Sequence, residues 1–218
     1  MEAVDRGIHS FDWITVTLIV SLIFLVIAKS LFYGRFLNFI ILPFNNKYIF
    51  MYNKKDRLVN GFQIFFTLFQ ASNFALFIYL CGPLLFGADS RPAPLTYLVI
   101  LGVVLSYLII KIIVQLANGF VYNNEKVIIE FIFKKLSYLN YSGLIMFLAN
   151  VVLTYILKDS LSVVYVAIFL IVTVNVVGLI TLIKNHQKLI TSHFFYFILY
   201  LCALEIAPLV IILNALTY

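Results

Sequence analysis

Charge is what this chain most lacks. Asp, Glu, Lys and Arg make up only 11% of its 218 residues, while 64% are hydrophobic. A soluble domain usually has about 25% charged and about 45–50% apolar residues. No interior of this size hides that excess, so lipid must solvate much of the surface; the mean hydropathy of +1.08 agrees. The length fits one domain. Reactive and metal-ligating side chains are nearly as scarce. Cys81 and Cys202 are the two cysteines, each inside an apolar run without a CxxC neighbour. That leaves no disulfide framework and no zinc site, and both read as small buried hydrophobes. The three histidines, His9, His186 and His193, do not fall at one depth on facing spans, which argues against haem held within a bilayer. There is no HExxH, no G-x-S-x-G elbow, no P-loop and no dinucleotide glycine pattern, and no Asp lies deep in an apolar run. No catalytic residue, metal ligand or cofactor is therefore expected. Lipidation signals are missing too: residue 2 is Glu and the last residues are Leu-Thr-Tyr. The start reads as an uncleaved first span. Three acids precede Trp13, the apolar run is too long for a signal peptide, and no cleavage site follows.

What the chain has instead is long apolar runs. A helix needs about 20 such residues to cross about 30 Å of hydrocarbon. Six stretches qualify, at 13–33, 62–86, 95–117, 138–157, 161–183 and 194–216. They are continuous rather than alternating, which argues against a β-barrel. Trp13, Tyr33, Tyr97, Tyr138 and Tyr218 stand near run ends, where aromatic residues suit the interface. The basic residues then orient the spans. Twelve of them, from Lys29 and Arg35 to Lys184 and Lys188, fall on one side, and only Arg6, Arg91 and Lys158 fall on the other. Basic loops stay in the cytoplasm. The expected fold is thus an all-α, polytopic transmembrane helix bundle of six spans, with both termini periplasmic, forming a single integral membrane domain over residues 1–218. The net charge of +6 belongs to this topology and not to nucleic-acid binding.

Two inner loops are more than linkers. The stretch "RFLNFIILPFNNKYIFMYNKKDR" (Arg35–Arg57) mixes aromatics with base around Pro43 and has too short an apolar part to span. It reads as an interfacial or re-entrant segment. Its Lys47, Lys54, Lys55 and Arg57 form a basic surface suited to anionic headgroups at the cytoplasmic face. The stretch "NNEKVIIEFIFKK" (Asn123–Lys135) spaces Lys126, Glu130 and Lys134 four apart, which fits an amphipathic helix lying on the membrane. For this second stretch, topology anchoring is the plainer alternative to binding anionic lipid or a partner.

Inside the spans a few polar residues remain. Gln63, Gln70 and Asn73 share one helical face, as do Lys111, Gln115 and Asn118. Asn150 and Asn175 follow, and Glu205 lies in the last run. Polar groups in hydrocarbon should turn inward and bond one another. They serve either as helix glue or as a polar path. Glu205 is the most costly of them, and Lys111 is a candidate partner. Ala71-xxx-Ala75 and Ala203-xxx-Ala207 would permit close helix approach.

The number of spans, the basic aromatic first loop and the final run "FYFILYLCALEIAPLVI", with Phe195, Tyr196, Leu199, Tyr200, Glu205 and Pro208, together carry a resemblance. The chain resembles an uncharacterised six-span inner-membrane family of Gram-negative bacteria, classed as a domain of unknown function. The resemblance implies an inner-membrane location and no particular chemistry. Three functions stay open. The first is a non-enzymatic subunit or assembly factor of a cell-envelope complex, with a membrane-protein partner. The second is a small secondary transporter or channel with its polar site around Glu205. The third is a lipid- or glycan-modifying enzyme that holds a phosphate through Lys54, Lys55, Arg57 and His186.

Overall fold

A computed structural model describes residues 12–44, 47–52, 60–86, 94–121, 125–158 and 160–185. Among these residues the structure is helical throughout. The helices are α1 (Asp12–Leu31), α2 (Tyr33–Ile40), α3 (Lys47–Tyr52), α4 (Gly61–Phe86), α5 (Pro94–Val121), α6 (Glu125–Val151) and α7 (Leu161–Asn185). A π turn, Val152–Ile156, closes α6. Five stretches are long and apolar enough to cross a membrane: Asp12–Leu31, Gly61–Leu85, Pro94–Ala117, Ile128–Ile156 and Leu161–Thr181. They correspond to the first five runs of the sequence. The sixth run, at 194–216, lies outside the described residues. The chain divides after Val177, and only the last turns of α7 are described beyond that point.

The long helices alternate in direction. At one end, Ile14 and Leu18 of α1 cluster with Ala75 and Leu76 of α4, Tyr97 of α5 and Val151 of α6. Near the other end, Ala28 of α1 joins Phe62 and Phe66 of α4 and Phe133 of α6. Basic residues gather at this second end: Lys29, Arg35, Lys111, Lys134 and Lys135 all belong to helix turns there. The central helix is α4, whose apolar window is 56% buried against 17% for α5 and α7. Its partner α6 approaches closely because Gly143 has no side chain. A Cβ there would stand 3.0 Å from the Cα of Gln70. Ala71 and Ala75 are fully buried and receive α5 and α1, so the expected small-residue contact is present.

Two segments differ from the sequence reading. Residues 125–135 are not a separate surface helix. They are the first turns of α6, which runs on unbroken into the bundle. No Gly or Pro interrupts it before Gly143. Lys134 is only 2% exposed, its stem packed inward and its ammonium held 2.8 Å from Glu130 one turn away. Tyr97 and Tyr138 are buried against neighbouring helices, at 6% and 2% exposed.

The segment after α1 folds back into the bundle. Phe36 and Phe39 of α2, Leu42 of the turn, and Tyr48 and Ile49 of α3 are buried against Phe62, Phe66 and Phe133. Ring centroids lie 4.5 Å apart for Phe39 and Phe66, and 5.9 Å apart for the stacked Tyr48 and Phe133. Edge and offset pairs of this kind add to plain area burial. The outer side carries the cations. Arg35 lies over the rings of Phe32 and Tyr52, at 5.6 and 4.9 Å, and Lys29 over Phe36 at 5.9 Å. The described part of this loop thus packs its rings into the bundle and keeps Lys29 and Arg35 over the ring faces.

A buried polar seam and a second polar group

Polar residues on α4 recur along the face that meets α6. Gln63, Gln70 and Asn73 are 3%, 1% and 1% exposed. Thr67 shares that face, four residues after Gln63 and three before Gln70. Opposite them α6 presents Asn140 and Asn150, and Ser137 and Ser142 are buried elsewhere on the same helix. The two helices run in parallel, so the partners follow in order. Asn140 Nδ2 donates to Thr67 Oγ1 at 3.2 Å, and that hydroxyl donates back to the carbonyl of Gln63 at 2.8 Å. Farther along, Asn150 Nδ2 donates to the backbone carbonyl of Asn73 at 2.9 Å, while Asn73 Nδ2 turns to the carbonyl of Phe69 at 2.8 Å. From α7, Asn175 Nδ2 donates to Ser142 Oγ at 2.8 Å. The seam thus joins three helices by bonds from buried and half-buried side-chain amides. Each such bond in a membrane is worth about 0.6–2 kcal/mol.

Some acceptors and donors in the seam have no partner among the described residues. These are both side-chain polar atoms of Gln63, Oε1 of Gln70, Oδ1 of Asn73 and of Asn150, and Oγ1 of Thr154. They run along the same α4 and α6 faces.

The second polar group lies apart, toward the basic end of α5. Lys111 Nζ donates to Tyr107 Oη at 3.3 Å and sits 5.3 Å from that ring's centroid. Lys135 of α6 comes within side-chain hydrogen-bonding range of Lys111. Gln115, one turn farther along α5, is 2% exposed, and its Nε2 has no partner among the described residues. The side chain of Asn118 is outside what the structure describes, although its backbone belongs to α5.

Of the residues singled out in the sequence, Gln70, Asn73 and Asn150 come together, and Lys111 and Gln115 form a separate group. Glu205, Lys54, Lys55, Arg57, His186, His193 and Cys202 lie outside the described residues. Lys47 opens α3, and its side chain is likewise not described. Cys81 is 5% exposed and packs with Phe77, Ala149, Leu153, Val164 and Ala167, as a small core hydrophobe does. Among the described residues no three His, Cys, Asp or Glu side chains converge as metal ligands would. The sequence reading passed over Thr67, Asn140, Ser142 and Lys135. The first three were legible as small polar residues in helical register with Gln63, Gln70 and Asn150. Lys135 was not, because its meeting with Lys111 depends on the α5–α6 packing.

A domain of long apolar helices, bonded to one another through buried amides and apolar enough to cross a membrane, is the class these features define. The chain matches the domain of unknown function DUF4271 over residues 14–216, and it belongs to that family. No curated protein and no solved structure matches it.

Proposed function

We propose that this chain is a six-span protein of the inner membrane of a Gram-negative bacterium, with both termini in the periplasm. It serves there as a non-enzymatic subunit or assembly factor of a cell-envelope complex. The observation that carries this reading is the α4–α6 seam. Its amides are used to bond helix to helix, at Asn73–Asn150, Thr67–Asn140 and Ser142–Asn175. Gly143 draws the two backbones together at the same level. That is the construction of a rigid scaffold. Support for the orientation comes from the gathering of basic residues at one end of alternating helices. A periplasm-active reporter fused after Tyr218 should be active, and a cytoplasm-active reporter near Lys188 likewise. The reverse result overturns the orientation. Affinity purification at native expression, after mild detergent, should recover a stoichiometric membrane-protein partner.

The unpartnered oxygens of Gln70, Asn73, Asn150 and Thr154 favour a second reading, a small transporter or channel whose polar path follows the seam. Proton-linked or solute flux in liposomes containing the purified chain alone would select it over the scaffold.

A further inference from the structure

Three buried oxygens occur where α4 meets the last turns of α6, away from the basic end. Asn73, Asn150 and Thr154 are all buried, and Oδ1 of each asparagine and Oγ1 of the threonine have no partner among the described residues. Turning the amides over does not relieve this. Asn150 Nδ2 donates to the Asn73 carbonyl at 2.9 Å, and Asn73 Nδ2 donates to the Phe69 carbonyl at 2.8 Å. Reversing either amide would set oxygen against oxygen. Both Oδ1 atoms are therefore acceptors, and the donor end of each amide is already engaged. The bond from Asn150 also holds its amide against the Asn73 turn of α4. Thr154 follows Asn150 by four residues, which puts their Cβ atoms about 5–6 Å apart on one face.

Thr154 differs from Thr17, Thr67 and Thr173. Each of those donates to the carbonyl four residues earlier, at 2.8 Å, the usual outlet for a helical hydroxyl. Thr154 makes no such bond. It sits in the π turn, where the Leu157 N–H reaches the Val152 carbonyl five residues back at 2.8 Å. Single π turns of this kind are frequent at functional sites. This turn is also the C-terminal end of the helix, where unbonded carbonyls leave a partial negative charge. The surroundings are apolar. Ala149 and Leu153 pack with Phe77 and Cys81, and Val151 packs with Ala75 and Leu76. Lys158, the described cation nearest along the chain, is exposed beyond the helix end.

Oxygens without donors, at a helix end of negative potential, suit a positive charge. An anion does not fit, since both amide donors are taken. Calcium and magnesium favour carboxylates, and none is among these residues. Unwound backbone and helix C-terminal ends coordinate sodium inside membrane transporters. We propose that Asn73 Oδ1, Asn150 Oδ1 and Thr154 Oγ1 bind an alkali cation such as sodium between α4 and α6, beside the π turn. The site stands whether the chain scaffolds or transports: a cation that stays braces the seam, and one that leaves is cargo.

The test uses the full chain in detergent micelles, with radioactive sodium in a scintillation proximity assay. Binding should saturate and yield to unlabelled sodium, and neither choline nor calcium should displace it. Thr154→Val keeps the side-chain shape and breaks no side-chain bond. It should raise the half-saturating sodium concentration about tenfold, and Asn150→Leu should raise it at least as far. Gln115→Leu removes another buried amide with an unpartnered nitrogen, near the basic end of α5, and should bind as the unaltered chain does. Equal loss in Gln115→Leu, unchanged binding in Thr154→Val, or displacement by calcium more readily than by sodium overturns the site. Where a variant fails to fold, the unaltered chain decides. Sodium chloride should raise its unfolding midpoint above that in choline chloride at the same ionic strength, because a ligand of the folded state alone stabilises it. Equal midpoints mean that water or nothing meets these oxygens, and they reject the proposal. Sodium binding without sodium flux in liposomes keeps the site and sinks the transport reading. Absence of binding sinks the site, whatever the flux.

Discussion

A methyl group added at Gly143 tests the α4–α6 contact directly. The new Cβ would meet Gln70 Cα and Cβ at 3.0 Å each and Cγ at 3.3 Å. Carbon atoms rest at about 3.5–4.0 Å. The nearest obstacle is backbone, so no rotamer change removes it, and the helices must part by about half an ångström. The seam bonds flank this point, Asn140–Thr67 at 3.2 Å and Asn150–Asn73 at 2.9 Å. Opening by that amount carries the first out of good hydrogen-bond range. Overpacking of this kind costs about 1–3 kcal/mol. Against it stands a gain of about 1 kcal/mol in helix propensity for Gly→Ala. Gly102 isolates the steric part. It is exposed on α5, and a Cβ there meets nothing within 4 Å. Gly102→Ala therefore receives the propensity gain alone. Gly143→Ala should be less stable than Gly102→Ala by about 1–3 kcal/mol. Equilibrium unfolding in mixed micelles measures this, with Trp13, the single tryptophan, as the probe. It packs 5.1 Å from Tyr79 of α4 and reports loss of the α1–α4 contact. If Gly143→Ala matches or exceeds Gly102→Ala in stability, the close approach of α4 and α6 is wrong.

Asn150→Leu should cost about 0.6–2 kcal/mol in the same assay, and an unchanged midpoint would mean that its bond to the Asn73 carbonyl contributes nothing. Phe39→Ala should cost about 3–5 kcal/mol, because its ring is fully buried among Phe62, Phe66, Tyr48 and Tyr141; a loss under about 1 kcal/mol would return α2 to the membrane surface. Glu205→Gln keeps hydrogen bonding and removes ionisation, whereas Glu205→Leu removes both. An acid at mid-span costs about 2.5–3.5 kcal/mol on insertion scales, so Glu205→Leu should lower the protein level only if the acid is bonded within the bundle. Normal protein levels and normal growth in both variants would remove Glu205 from any functional account.

The five long apolar helices were legible because crossing lipid imposes one requirement, a long apolar run, and that requirement is local. The inward turn of Gln63, Gln70 and Asn73 was legible for the same reason. Their spacing places them on one face, and hydrocarbon gives that face nowhere else to go. What stayed hidden depends on contacts between distant segments. Lys126, Glu130 and Lys134 carry a surface-helix pattern, yet helix continuity outweighs it, since no breaker separates residue 125 from Gly143 and the Glu130 carboxylate covers the Lys134 charge. The absence of Gly and Pro was the available signal. Phe36, Phe39 and Tyr48 read as part of an interfacial or re-entrant segment, and nothing local says that Phe62 and Phe133 form their pocket. The meeting of Lys111 with Lys135 is of this kind too. Glu205 remains a sequence argument alone.

The distribution of bonds has a consequence for how the bundle holds together. Lipid tails are as apolar as leucine, so burying an aliphatic face against another helix gains little in a bilayer. Close packing and hydrogen bonds must hold the helices instead. Both are concentrated between α4 and α6, where Gly143, the paired amides and the aromatic cluster coincide. Helix α7 has much less. Its most buried residues are small, Val164 and Ala167 against Phe77, Cys81 and Ala149, and Asn175 ties it to Ser142 at 2.8 Å. Its other face is apolar, with Tyr165 and Phe169 60% and 70% exposed. A helix attached this way depends on such polar ties and on how tightly the small residues let it approach. The energetic centre of the described structure is accordingly the α4–α6 pair with the α2–α3 segment folded against it. The polar residues there are explained first by the need to bind helix to helix in a solvent that supplies no hydrogen bonds.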